Sequence, residues 1–386
     1  MSAPRRIPNA VPHLAGNEWT YLKECLDSNW VSSAGPFVER FERAVAEAVG
    51  ASHAVATVNG TAALHVALLA AGVGPGDLVL VPGFTFIATA NAVSYCGADP
   101  VLVDVEPVAW GMDPQRVADY LARDCRVEAG RVVDRASGRC VRALLPVHLY
   151  GHPCDLDALL AVAGRYPLAV VEDSAEALGA RYKDRPVGVE GLAGCLSFNG
   201  NKIVTAGAGG MVLTRDAAFA ERARRLTTQA RGDAIEFVHD QVGYNYRLSN
   251  LHAALGLAQV EQLAAFVEAK RATAHDYQAR LAGLDGVEPF REAPWARSSY
   301  WMASVLLAER RAPDLRRLLR RLVAEGVEAR PLWRPLHLQP VYRQARRLGG
   351  EVAERLYARG LSLPCSVGIS PEERARVAET LLRHLA

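Results

Sequence analysis

The sequence predicts an α/β protein with a mostly parallel sheet, followed by a smaller α+β unit. Three observations carry this. From residue 54 onward, apolar runs of four to seven residues alternate with helical segments, the pattern of strands buried on both faces. Small-residue turns such as Asn59-Gly60-Thr61-Ala62 link these runs to the helices that follow. Beyond Gly286 the texture changes to shorter strands among Arg- and Leu-rich helices. A chain of 386 residues exceeds one simple core, so two units are expected, a large one over 1–255 and a small one over 256–386.

The elements follow in order. Glu18 to Asp27 and Phe37 to Val49 read as helices, joined by Asn29-Trp30-Val31-Ser32-Ser33-Ala34-Gly35-Pro36. Trp30 and Ser33 in that loop have the chemistry to touch a ligand, or Trp30 belongs to the core. Strands are predicted at Ala54–Val58, Leu78–Val81, Pro100–Val105, Ala143–His148, Leu168–Asp173, Leu192–Phe198 and Met211–Thr214. Helices are predicted from Thr61 to about Ala71 and from Ile87 to Cys96. Arg126 to Arg142 interrupts the series and reads as an inserted surface hairpin. Residues 216–231 form an amphipathic helix, and Leu248 to Ala282 one or two more. In the smaller unit, strands at Ser299–Leu307 and Val327–Leu332 alternate with helices at Pro313–Glu325 and Pro371–Leu385.

Composition excludes several classes. A net charge of +2 gives no general attraction for nucleic acid or a membrane surface. The arginines at 310–321 alternate with leucines at helical spacing, and acidic residues lie near both these and the arginines at 343–347, which fits solvated helix faces. Seven scattered cysteines without a C-x-x-C pair argue for free thiols in a reducing cytosol and against a metal site. The basic start, Met1 to Arg6, runs into Pro8, Asn9 and Pro12 rather than an apolar segment, so no signal peptide is expected. No apolar stretch is long enough to span a bilayer, and a cytoplasmic location follows.

The chemistry gathers at strand ends. Ser197-Phe198-Asn199-Gly200-Asn201-Lys202 leads into the glycine-rich Ala206-Gly207-Ala208-Gly209-Gly210, fixing a lone lysine between two turns. Desolvated there, Lys202 becomes a usable amine nucleophile; read alone, it is a solvated loop lysine beside a hairpin. The turn at Gly60, Thr61 and Ala62 offers a phosphate the start of a helix, or Thr61 is an ordinary cap. Phe86, just past a strand, lies over a flat ligand or in the core. Asp173 ends an apolar strand, where ligands of open α/β sheets bind, or caps a helix. Together these pieces supply what pyridoxal 5′-phosphate needs: Lys202 for an imine, Asp173 for the ring nitrogen, Gly60 and Ser197 for the phosphate, and Phe86 for the ring. A nicotinamide oxidoreductase is disfavoured because no early strand is followed by G-x-G-x-x-G.

At this point the chain resembles the DegT/DnrJ/EryC1/StrS family of sugar aminotransferases over nearly its whole length. The resemblance runs through Gly16-Asn17-Glu18, Trp30 to Gly35, Gly60 to His65, Thr85 to Asn91, Glu172 to Gly179, the lysine stretch, Gly243 to Leu248, and Pro335 to Pro340. It implies an aspartate-aminotransferase-like (type I) fold and a homodimer with shared active sites. It further implies that Lys202 is the Schiff-base lysine and general base, with Asp173 as partner of the pyridine nitrogen. Phe86 stacks on the ring, Gly60, Thr61, Ala62 and Ser197 surround the phosphate, and Asn245 reaches across from the other subunit. Glu176 stands where many relatives carry Gln.

By the same resemblance, L-glutamate donates the amino group, the cofactor passes through pyridoxamine 5′-phosphate, and a nucleotide-linked keto sugar accepts it. The implied substrate is UDP-4-keto-6-deoxy-N-acetylglucosamine, giving UDP-4-amino-4,6-dideoxy-N-acetylglucosamine, as in the legionaminic-acid branch. The alternatives are a GDP-perosamine synthase-type aminotransferase and a non-catalytic regulator. Arg231, Arg247 and His337 are candidate contacts to the substrate, as is His148 unless it is a satisfied core histidine.

Overall fold

The computed structural model describes residues 5–233 and 235–385; of the basic N-terminal segment, residues 1–4 lie outside them. Seven strands form the central sheet: β1 (His53–Thr57), β2 (Leu78–Pro82), β3 (Asp99–Val103), β4 (Cys140–Leu144), β5 (Ala169–Asp173), β6 (Ala193–Ser197) and β7 (Gly210–Thr214). Their order across the sheet is β1-β7-β6-β5-β4-β2-β3, and the short strand Arg347–Leu348 extends it beyond β3. Strands β6, β5, β4, β2 and β3 run parallel, while β7 is antiparallel to both of its neighbours. Nearly all their residues are buried, as expected for strands covered by helices on both faces.

Helices Glu18–Asp27, Pro36–Val49, Gly60–Ala70 and Pro371–Leu385 match the sequence to within about one turn. The differences have local causes. The expected surface hairpin is Cys125–Glu128/Arg131–Asp134, its first arm largely exposed; it ends before Arg142 because its second arm pairs with β4 and so widens the sheet. The helix expected over 216–231 ends at Thr227. There the Thr227 and Thr228 hydroxyls bond the Arg224 carbonyl, and Gln229 and Ala230 turn left-handed, at φ 62° and 55°. Residues 255 and 256 fall inside helix Asn250–Val260, so a division there would cut a continuous element; the backbone breaks instead before Leu263–Arg280.

Beyond these helices, a four-stranded antiparallel sheet is ordered Val287–Pro289, Ala303–Leu307, Gly360–Leu363, Arg330–Pro331. Both expected strands here are shortened. The backbone before Ala303 is committed to the loop at Tyr150 and Gly151, to which Ser299 and Met302 donate. Val327 pairs with Ile7 of the N-terminal segment, which leaves only Arg330–Pro331 for the sheet. These two diversions bring Trp301 and Trp333 against the C-terminal ends of the central strands.

Candidate active site

A cavity of about 320 Å³ opens at the carboxyl ends of β2, β5 and β6. At one end lies the start of helix Gly60–Ala70, where Asn59 caps the Ala62 N–H with its side chain at 2.8 Å. Gly60 is required by close approach: a Cβ there would sit 2.7 Å from the Ser197 Cβ. Gly60, Thr61 and Ser197 therefore form one small, positively polarised end of the cavity. Ala62 is buried behind it and does not border the cavity.

Strand alternation sorts the two carboxylates that end β5. Asp173 faces the cavity, its Oδ2 accepting from Thr89 Oγ1 at 2.7 Å and its Oδ1 from the Ala175 N–H at 3.1 Å. Burial raises its carboxyl above the ordinary value, opposed by Thr89, the Ala175 N–H and Lys202. Glu172 points to the opposite face and accepts from the Gly188, Glu190 and Gly191 N–H groups and from His148 Nε2. Burial works against its charge, but His148 and these backbone N–H groups hold it below the ordinary range.

Lys202 lies at the cavity wall with Nζ 3.8 Å from Glu176 Oε1. Burial lowers the lysine and raises Glu176, while the attraction between them opposes both shifts. Glu176 Oε2 accepts the Tyr150 N–H at 2.7 Å. Phe86 is half exposed at the rim, its ring 5.1 Å from that of Trp333. Asn201 borders the cavity and has a buried Oδ1 without a hydrogen-bond partner. A second groove, of about 1000 Å³, shares Asn201 and Trp333 with this cavity and carries Arg330 and Arg334.

The structure thus gathers Gly60, Thr61, Phe86, Asp173, Glu176, Ser197 and Lys202 around one cavity. It does not bring the expected substrate residues there. His148 is fully buried and saturated: its Nδ1 accepts the Cys154 N–H at 3.2 Å, so Nε2 carries the hydrogen given to Glu172. Arg247 is spent on Glu42 at 2.5 Å, beside Arg224 on the same carboxylate. His337 is buried with Nε2 on Glu354 at 2.8 Å. Arg231, Asn245, Trp30 and Ser33 are exposed away from the cavity in this chain. Sequence reasoning passed over Thr89, Asn201, Trp301 and Trp333. Thr89 lies one helical turn past Thr85 in a motif already singled out, whereas nothing local marks the two tryptophans.

These residues suit pyridoxal phosphate: an anion end that a Cβ would fill, a buried carboxylate, an amine and a rim aromatic. The DegT/DnrJ/EryC1/StrS aminotransferase family model matches residues 12–382. The chain belongs to that family. It is 39% identical to the GDP-perosamine synthase of Caulobacter vibrioides, over 99% of each chain. It is 40% identical to the putative pyridoxal phosphate-dependent aminotransferase EpsN of Bacillus subtilis, over 98% of this chain and 95% of that one. Among solved structures it resembles DesI in the presence of its TDP-sugar product, with a TM-score of 0.86 and 32% identity over 100% of this chain and 93% of that one. The chain is a sugar aminotransferase and pyridoxal 5′-phosphate is its cofactor. No group of metal-ligating side chains occurs among the described residues, and no helix among them is long and apolar enough to cross a membrane.

Proposed function

We propose that the chain moves an amino group from L-glutamate to C4 of a nucleotide-linked 4-keto-6-deoxy sugar, with a GDP-linked sugar and a perosamine-type product as the first reading. The observation that carries it is the single amine, Lys202, facing a cavity whose far end suits a phosphate and whose floor is Asp173. The Caulobacter relative supports GDP over the UDP-linked N-acetylglucosamine derivative expected from the sequence, which becomes the second reading. A regulator that only binds its ligand has no use for an imine lysine.

When bound, the cofactor supplies an aldehyde for the amine and a ring that withdraws electrons from the reacting carbon. The chain's own residues do the rest. Lys202 would supply the amine that holds the group by its aldehyde and, once freed, would carry the reaction's proton, first as base and then as acid. Asp173, held by Thr89 and the Ala175 N–H, would keep the ring nitrogen protonated. Gly60, Thr61 and Ser197 would bind the phosphate, and Phe86 would cover the ring. The adjoining groove, with Arg330 and Arg334, has the size and charge for a nucleoside diphosphate. In the same proposal the chain is a homodimer, Asn245 serves the partner's cavity, and seven free cysteines suit the reducing cytoplasm.

The test is to incubate the enzyme with glutamate and either GDP- or UDP-linked 4-keto-6-deoxy sugar and to weigh the products. A mass matching the amino sugar from the GDP substrate, at higher kcat/KM than from UDP, is expected. Preference for UDP restores the second reading, and no product from either dismisses both.

A further inference from the structure

Trp301 belongs to none of the motifs at the strand ends, yet its indole is the surface against which the reactive lysine lies. Lys202 Nζ sits 3.7 Å from the centroid of the Trp301 ring, and the ring is buried. Its position is fixed from both sides. The indole Nε1 donates to the Asn201 carbonyl at 2.7 Å, next in sequence to the lysine. The Trp301 carbonyl accepts from the buried Lys270 Nζ at 3.0 Å and from the Cys365 thiol at 3.4 Å. Tyr150 stacks on it at 6.3 Å with an interplanar angle of 24°. Glu176 Oε1, at 3.8 Å, lies beyond hydrogen-bond reach of the amine, so the indole face is a contact of comparable closeness. An aromatic face attracts an ammonium electrostatically, most strongly when both are removed from water.

We propose that Trp301 is the platform on which Lys202 rests its amine whenever that amine is not covalently engaged, making the indole a positioning residue for the reaction's proton carrier. This rests on Lys202 being the reacting amine. By favouring the charged form, the platform delays loss of the lysine's proton until the amine lifts away toward the reacting carbons.

The chain has only four lysines, Lys23, Lys183, Lys202 and Lys270, which makes a direct measurement practical. In enzyme labelled with 13Cε-lysine and loaded with pyridoxamine 5′-phosphate, four methylene correlations are expected, and Lys202→Arg identifies one of them by its loss. That correlation should lie upfield through the indole ring current. In Trp301→Leu it should move back toward the position of the exposed Lys23, with its titration midpoint lower by about one pH unit. Trp301→Phe, which keeps a smaller aromatic face and a filled core, should fall between. An undisplaced Lys202 signal in the unmutated enzyme, or a midpoint that both substitutions leave unchanged, overturns the proposal. Borohydride treatment of the pyridoxal phosphate-loaded enzyme and mass spectrometry separately report whether Lys202 carries the cofactor. A missing adduct there removes the underlying reading, whatever Trp301 does.

Discussion

Glu176 and Lys202 share a buried site in which neither can be charged cheaply. At about 4 Å a pair of unit charges gains roughly 4 kcal/mol at an effective dielectric of 20, while taking each ion out of water costs several kcal/mol, so the two effects nearly cancel. Hence burial raises both Asp173 and Glu176 and lowers Lys202, with the attraction between them only moderating the shifts. A carboxyl raised in the folded state keeps its proton at a pH where the unfolded chain has already lost it. The unfolded state is then favoured progressively as pH rises from the ordinary Glu value of 4.5 through the raised one. Lys202, shifted down from 10.5, acts with the opposite sign and at higher pH. We predict that in the cofactor-free protein Glu176→Gln flattens the fall in thermal midpoint as pH rises above 4.5. Parallel slopes for variant and parent would show that Glu176 ionises normally.

At the level of the element, the cavity depends on how tightly a helix start meets a strand end. The Gly60–Ala70 helix aims its positive end at the cavity only because Gly60 lets the backbone lie on Ser197. Gly60→Ala should push the two apart and weaken pyridoxal phosphate binding by about tenfold or more, read as an increased Kd in an absorbance titration. Unchanged affinity would mean that the phosphate does not sit at this helix start. The same local logic made much of the site legible in the sequence. A strand-end aspartate, a small-residue helix start and a lysine between turns are set by residues within a few positions of one another. Three of the substrate candidates lie away from the cavity in this chain for the complementary reason. His148, Arg247 and His337 have the right chemistry, but their partners, Glu172, Glu42 and Glu354, are 24, 205 and 17 residues away and absorb it. Trp301 and Trp333 reach the cavity only because the backbone before Ala303 and at Val327 pairs with the Tyr150–Gly151 loop and with Ile7. No period or motif in the sequence encodes those pairings.

For the whole molecule, the question is whether one chain makes a complete site. Asn245 belongs to a motif expected at the cofactor, yet in this chain it is exposed and away from the Lys202 cavity. The segment leading to it carries Ile235 and Val242, both more than four-fifths exposed, which is a poor surface to leave in water. In the proposed homodimer a second copy would cover that segment, and two-fold symmetry would carry each Asn245 toward the partner's cavity. This predicts complementation. Lys202→Ala and Asn245→Ala homodimers should each be impaired. After mild unfolding, mixing and refolding, half the dimers are hybrids, and each hybrid holds one site with both residues intact. Recovered activity should then approach about a quarter of that of the unmutated enzyme. If Asn245 instead served its own chain's site, every site in the hybrid would retain one defect and mixing would restore nothing. A single sedimentation boundary at the mass of one chain would rule out the shared site without any assay.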